Sequence, residues 1–299
     1  MHYRRLGNTE LDVSVVGLGT WQFGGEWGKD FSQAEVNAIF DAARDTGITL
    51  IDTAECYGDH LSEQLIGEAI RQDREKWIVA TKFGHRFTGF IEREWALSPE
   101  AVQQQLEDSL RALQTDVIDL YQFHSGSNEQ FDTDGLWTML DKQKQAGKIR
   151  FLGISISSSM QDTNVYQTER AAQVGASVIQ VVYNRLERTP ETTVFPLCKE
   201  QDLGVLARVP LASGFLSGKY GVGAEFPAND VRSRQKEAKL RETLAEVERI
   251  QREEVPEGVS MAAWALAWCL KQPIVTSVIP GCKTPEQVRQ NAAAADVAA

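Results

Sequence analysis

Short β-branched apolar runs alternate with longer stretches of helical period from one end of the chain to the other. The runs Val13–Gly19, Thr49–Asp52, Trp77–Lys82, Val117–His124, Ile149–Ser155, Val178–Tyr183, Gly204–Arg208 and Thr276–Pro280 predict eight strands. Between them, Val102, Leu106, Leu110 and Leu113 trace one apolar helical stripe, and Leu240, Leu244, Val247 and Ile250 another. Ser98-Pro99 and Thr284-Pro285 each read as an N-cap followed by proline at the first helical position, and Ser32 with Glu35 reads as a capping box. Ahead of the first repeat, Tyr3–Leu6 and Leu11–Val15 flank Gly7-Asn8-Thr9, a hairpin able to plug one end of a barrel.

Eight strands alternating with helices imply a parallel sheet, and eight is the number that closes. The expected architecture is a (β/α)8 TIM barrel with an N-terminal β-hairpin. Periodicity does not show closure, so an open doubly wound sheet is the structural competitor. No Pro/Gly/Ser-rich linker divides the 299 residues, which are read as one domain spanning 1–299. The irregular, glycine-rich stretch Gly214 to Arg234 is a candidate active-site loop. The charge-dense run Lys236 to Glu254 is read as a solvated helix face, with Glu237/Arg241 and Glu248/Arg252 at i, i+4 spacing.

A formal net charge of −11 argues against a broad nucleic-acid or anionic-membrane surface, although a local cationic site for an anionic ligand remains compatible with it. Cys56, Cys198, Cys269 and Cys282 lack metal-ligand spacing along the chain and are too few for a disulfide framework, so a reducing, cytoplasmic compartment is the simpler expectation. The N-terminus makes a poor signal peptide, because Asp12 and glycines interrupt its apolar stretch. The apolar segment Met261 to Leu270 is too short to span a bilayer. No membrane or nucleic-acid partner is expected, and the oligomeric state is left open.

In a parallel barrel, chemistry gathers where strands end. Asp52 ends the second predicted strand with Tyr57 five residues on, Lys82 ends the third, and His124 ends the fourth. Taken singly, each has an ordinary reading: a loop cap, a rim tyrosine, a snorkelling lysine, a hydrogen-bonded core histidine. Their coincidence at consecutive strand ends points to one site.

These residues sit in a recognisable signature. Asp52-Thr53-Ala54-Glu55-Cys56-Tyr57-Gly58 is followed by Ser62-Glu63-Gln64-Leu65-Ile66-Gly67, Ala80-Thr81-Lys82, and Asp119-Leu120-Tyr121-Gln122-Phe123-His124. The combination resembles the aldo-keto reductases over almost the whole chain, and most of all their bacterial oxidoreductase-type branch, related to potassium-channel β-subunits. The resemblance implies NADP(H)-dependent reduction of a small-molecule aldehyde or ketone. Tyr57 would be the general acid, Lys82 would lower its pKa from the ordinary value of about 10, Asp52 would hold Lys82, and His124 would orient the carbonyl.

The same resemblance implies a cofactor lying extended across the strand ends, which accommodates the absence of a dinucleotide fingerprint after Gly17-Leu18-Gly19. Ser155 and Gln180 would bind the nicotinamide carboxamide, with Asp52 and Arg208 beside it and Thr20 and Trp21 at the mouth. Pro210-Leu211-Ala212-Ser213-Gly214 would follow the pyrophosphate with Lys219 near it, and Gly281, Lys283, Gln287 and Asn291 would surround the adenosine. Three positions depart from the family pattern. Ile156 stands where many members carry asparagine, and Gly281 and Gln287 stand where some branches carry basic residues, so NADP preference would rest on Lys283. Thr284 has a second reading as a helix N-cap in a capping box with Gln287.

Two other functions compete: a cofactor-binding regulatory subunit of the channel type with vestigial turnover, and a metal-dependent hydrolase using Asp52 and His124. The second is weak, since no other histidine falls at a predicted strand end and Lys82 would crowd a metal; no metal is expected. Trp21, Trp27 and Phe83 are candidates for an apolar substrate wall, with His85 or Arg86 adding polarity.

Overall fold

The computed structural model describes residues 1–157, 161–221 and 223–298. Its N-terminal hairpin pairs β1 (Tyr3–Arg5) antiparallel with β2 (Asp12–Ser14). There follow β3 (Leu18–Gly19), β4 (Leu50–Asp52) and β5 (Ile78–Phe83), then a second hairpin of β6 (His85–Gly89) and β7 (Glu92–Trp95). The remaining strands are β8 (Ile118–His124), β9 (Ile149–Ser155), β10 (Ala176–Val182), β11 (Gly204–Arg208) and β12 (Val275–Ile279). Eight of them form one sheet in the order β3-β4-β5-β8-β9-β10-β11-β12, every ladder parallel. Parallel bridges from Val16 to Val278 and from Gly19 to Gly281 bring the first and last strands together. The sheet therefore curls into a nearly closed barrel, and the open-sheet alternative is set aside.

The run Val13–Gly19 is not one strand. Val15 N–H donates to the His2 carbonyl at 2.9 Å, still on the hairpin, whereas Gly17 N–H donates to the Val278 carbonyl at 2.8 Å, on the barrel. Ser14 marks the change of partner, its hydroxyl donating to the Val16 carbonyl at 2.7 Å and accepting from Thr49 N–H at 3.0 Å. One apolar run thus serves two sheets.

Leu50, Ala80, Leu120, Val178, Leu206 and Ile279, one from each of six strands, meet inside the barrel, and Leu6, Leu11 and Val13 of the hairpin close that end. A larger cluster packs strand exteriors against the surrounding helices; Val102, Leu106 and Leu113 of the predicted stripe are buried in it. Leu244, Val247 and Ile250 bury the face of the helix Glu237–Glu253 in a satellite cluster with Phe215, Leu216 and Trp264. Helix starts fall where caps were expected. Ser32 and Glu35 form a reciprocal capping box, Ser98 accepts from Ala101 N–H, and Pro99 and Pro285 open their helices. Thr284 accepts from Gln287 N–H, but the Gln287 side chain accepts from Lys283 N–H at 2.7 Å, one residue before the cap, so the expected box is shifted rather than reciprocal. Among the described residues no helix is long and apolar enough to cross a membrane.

Candidate active site

Strand register, rather than sequence spacing, assembles the site. Asp52 pairs with Ala80, Lys82 with Gln122, and His124 with Ser155, which is itself opposite Gln180. Side chains pointing inward at this level form a polar layer above the apolar barrel core. Lys82 Nζ donates to Asp52 Oδ1 at 2.8 Å, to the Thr53 carbonyl at 2.6 Å and to the Tyr57 hydroxyl at 3.4 Å. The other Asp52 oxygen accepts from Gln180 Nε2 at 2.6 Å and Gln122 Nε2 at 3.4 Å. Lys82 is only 1% exposed and Asp52 5%, so the ion pair is desolvated and tolerable only because its remaining donors and acceptors are matched.

Tyr57 is delivered by the loop after β4. Gly58 adopts φ +68° against Gly24, where a Cβ would lie 2.7 Å from the Gly24 carbonyl oxygen, so the tyrosine loop rests directly on the Trp21–Gly24 turn. Across that contact Trp21 stacks on Tyr57, with ring centroids 5.9 Å apart and an 18° interplanar angle. Trp27 meets Trp21 edge-on at 5.2 Å.

Burial changes the expected electrostatics. The Tyr57 hydroxyl is pushed up to about 12, because desolvation outweighs the pull of Lys82 toward phenolate. The expectation that Lys82 would bring Tyr57 below its ordinary value is therefore corrected: the lysine opposes a larger effect. Burial also lowers Lys82, but Asp52 and the Tyr57 oxygen more than compensate and leave its ammonium stabilised. His124 is held well below the ordinary histidine range by burial, reinforced by His85 and Lys82. It is a neutral imidazole carrying one N–H.

These groups border a cavity of about 490 Å³ that runs from the His124 corner across the strand ends to Asn291. Thr20, Trp21, Asp52, Gln180, Arg208, Pro210, Leu211, Ser213, Gly214, Lys219, Gly281, Lys283, Gln287 and Asn291 all line it. Ser155 does not. It is fully buried, its hydroxyl donating to Gln180 Oε1 at 3.3 Å. Ile156 is also fully buried, and its carbonyl accepts from Arg208 Nη2 at 3.0 Å. Beyond β11 the backbone is strained: Val209, Ala212 and Ser213 take φ of 54°, 47° and 59° without being glycine. Lys283 Nζ donates to the Trp27 carbonyl and is half-buried, which lowers its proton affinity.

Two candidates for the substrate wall are displaced. Phe83 follows Lys82 on β5, so it points outward, fully buried against Tyr121 at 4.8 Å, Phe123 and Trp137. Arg86 is exposed and paired with Glu94. Trp21, Trp27 and His85 do line the cavity.

Sequence reasoning missed most of the roof. The β6–β7 hairpin half-buries one face, with His85, Phe87 and Arg93, and exposes the other, with Arg86, Thr88, Glu92 and Glu94. Its alternation is too short and too polar to read as a strand, and its turn, Phe90-Ile91, holds no glycine or asparagine. It is anchored by Glu26, 2% exposed, which accepts from Trp21 Nε1 at 2.6 Å, Ile91 N–H at 2.8 Å and Arg93 at 2.6 Å. Across the cavity, Arg232 forks onto Asp230 at 2.7 and 2.9 Å and lies against the rings of Trp27, Tyr220 and Phe226. Gln122 was visible only as one polar residue alongside Asp119 and His124 on its strand, with nothing to mark it as a partner of Asp52.

A buried lysine-aspartate pair thus lies beneath a tyrosine at the strand ends of a parallel barrel. The chain belongs to the aldo/keto reductase family, whose sequence profile matches residues 15–298. It is 33% identical to the uncharacterized oxidoreductase YqkF of Bacillus subtilis, over 99% of this chain and 92% of that protein. It is 31% identical to the NADH-specific methylglyoxal reductase of Escherichia coli over 98% and 93%, and 29% identical to a probable voltage-gated potassium channel subunit beta of Arabidopsis thaliana over 99% and 92%. The holo form of aldo-keto reductase AKR11C1 from Bacillus halodurans superposes with a TM-score of 0.81 at 32% identity, covering 99% of this chain and 91% of that one. The chain is thus placed among oxidoreductases acting on small-molecule carbonyl compounds.

Proposed function

We propose that the chain, read as one domain over 1–299, is an NADP(H)-dependent carbonyl reductase in which Tyr57 protonates the carbonyl oxygen. The observation that carries this is the Lys82 ammonium, 2.8 Å from Asp52 and 3.4 Å from the Tyr57 hydroxyl at the inner end of the groove. The groove also suits an extended dinucleotide. Arg208 Nε is buried without a partner, and the strained turn from Val209 to Gly214 is the type of backbone that cradles phosphates. A bound nicotinamide supplies the hydride.

The chain's own residues do the rest. Tyr57 keeps its proton through the neutral range and releases it as negative charge builds on the carbonyl oxygen. Lys82 stabilises the phenolate that remains, which is where its charge acts. Asp52, held by Gln180 and Gln122, keeps Lys82 in place. Neutral His124 donates a hydrogen bond to the same oxygen. Gln180 and Arg208, with Ser155 behind Gln180, position the nicotinamide; Ser213, Gly214 and Lys219 follow the pyrophosphate; Lys283, Gln287, Gly281 and Asn291 face the adenosine. The 2′-phosphate requires a local cation on a chain of charge −11, and Lys283 at the start of the helix Pro285–Ala292 supplies it. Four buried free cysteines accord with a reducing cytoplasm.

Tyr57→Phe tests the assignment. It is expected to retain NADPH binding by fluorescence titration and to lose about 10²–10⁴ in aldehyde reduction. Reduction within a few-fold of wild type would remove Tyr57 as the acid. The similarity to the channel subunit favours a second reading, a cofactor-binding regulatory subunit; failure to turn over any of a panel of aromatic and aliphatic aldehydes, with cofactor bound, would select it.

A further inference from the structure

Beside Tyr57 and Lys82 lies a cluster that shares only His124 with the proposed carbonyl reduction. Glu55 and Cys56 come from the loop after β4, His85 from the first residue of β6, and His124 from the end of β8. One donor atom from each lies within 4.8 Å of every other. His124 Nδ1 and Cys56 Sγ are 3.9 Å apart. Glu55 is 3% exposed. One of its oxygens accepts from His85 N–H at 3.0 Å, which ties the hairpin to the loop. The other, Oε2, is buried with no hydrogen-bond partner, and so is His85 Nδ1. An orphaned carboxyl oxygen and an orphaned imidazole nitrogen beside a thiol and a second imidazole are polar atoms that a fold ordinarily satisfies.

From this geometry we propose that Glu55, Cys56, His85 and His124 form an inhibitory binding site for a borderline-soft divalent cation such as Zn2+. One thiolate, two imidazoles and a carboxylate are the donor set Zn2+ favours. Metal–ligand bonds of about 2.0–2.3 Å require tetrahedral donors to lie roughly 3.3–3.8 Å apart, so the cluster contracts by about 1 Å on binding. His85 lies on the β6–β7 hairpin, a separate two-stranded sheet, so its approach requires no shift of a barrel strand. Of the positive charges facing the cluster, Arg93 is paired with Glu26 at 2.6 Å and Lys82 with Asp52 at 2.8 Å, while Arg208 donates to the Ile156 carbonyl. Binding forms a metal–sulfur bond, releases to solvent the Cys56 thiol proton and the proton that burial keeps on the Glu55 carboxyl, and changes no oxidation state. It also takes His124 into the metal shell and away from the carbonyl, so reduction stops.

The experiment uses the full chain without added nicotinamide cofactor and Co2+ as the spectroscopic probe, so it tests the metal site independently of the carbonyl-reductase reading. One equivalent of Co2+ is expected to give a thiolate-to-cobalt charge-transfer band and tetrahedral visible bands, and Zn2+ to displace it. Cys56→Ala should abolish the charge-transfer band. His85→Asn, a change on the surface hairpin, should weaken Zn2+ at least about ten-fold, since even outer-shell losses at such sites cost 10–100-fold. In assays of a turned-over aldehyde, Zn2+ should inhibit the wild type, and His85→Asn, measured against its own metal-free rate, should need at least about ten-fold more. No saturable Co2+ spectrum, a spectrum unchanged in both variants, or saturation that leaves turnover at the metal-free rate would each overturn the proposal.

Discussion

Lys82→Met separates the electrostatic account of the site from a purely steric one. Methionine fills a similar volume, so the main change is loss of the ammonium. Three partners lose a donor at once: Asp52 Oδ1 at 2.8 Å, the Thr53 carbonyl at 2.6 Å and the Tyr57 hydroxyl at 3.4 Å. Removing one member of a buried pair typically costs about 3–5 kcal/mol. Here Asp52 keeps the amides of Gln180 and Gln122, so about 3 kcal/mol, the lower end, is expected. For a chain of this size that corresponds to a Tm lower by on the order of 5–10 °C. The kinetic loss should be larger in relative terms. Burial already pushes the Tyr57 phenol up to about 12 with Lys82 opposing it, and without the lysine the phenolate left after proton transfer loses the cation that hydrogen-bonds it. Reduction should fall by at least about 10²–10⁴. Adding Asp52→Asn to Lys82→Met removes the stranded carboxylate, so the double variant should recover part of the Tm and none of the activity. Calorimetry with steady-state kinetics checks both arms. A Lys82→Met enzyme within a few-fold of wild-type turnover, with an unchanged pH–rate profile, would refute the reasoning.

Other outcomes follow from local geometry. Lys283→Ala should weaken NADPH by at least about ten-fold and leave NADH nearly unchanged; equal losses for both cofactors, measured by fluorescence quenching, would take Lys283 out of the phosphate site. His60 Nδ1 lies 2.5 Å from buried Glu63, and although burial pulls its imidazolium down, the carboxylate raises it more, for a net increase above the ordinary value of 6.5. The folded state therefore holds this proton more tightly than the unfolded chain. The stabilisation is fully present below the unfolded pKa and is lost as pH rises through the higher folded value. Urea titrations should show the stability advantage of wild type over His60→Gln shrinking from pH 6 upward; an advantage that grows with pH would contradict the pairing.

The alternation of apolar runs with helical stripes was enough to predict eight barrel strands and the plugging hairpin, because residue period is a local property that backbone geometry converts directly into strand or helix. Caps at Ser32 and Ser98 were legible for the same reason. The strand-end positions of Asp52, Lys82 and His124 were legible too, but their meeting was not: it depends on the parallel register that sets Lys82 opposite Gln122 and His124 opposite Ser155. What lay beyond reach has one physical origin. Burial and pairing between distant segments leave no periodic mark. Phe83 turned outward because its neighbour Lys82 turned in. The β6–β7 roof was silent because its inner face is only half-buried and carries polar His85 and Arg93, and its anchor Glu26 reads as any surface acid until Ile91 and Arg93 close on it. The four cysteines show no ligand spacing, yet folding sets Cys56 among Glu55, His85 and His124. Even the sign of the Tyr57 shift belonged to the tertiary structure. The lysine beside it is written in the chain, but the water removed from around the phenol is not, and that desolvation is the larger effect.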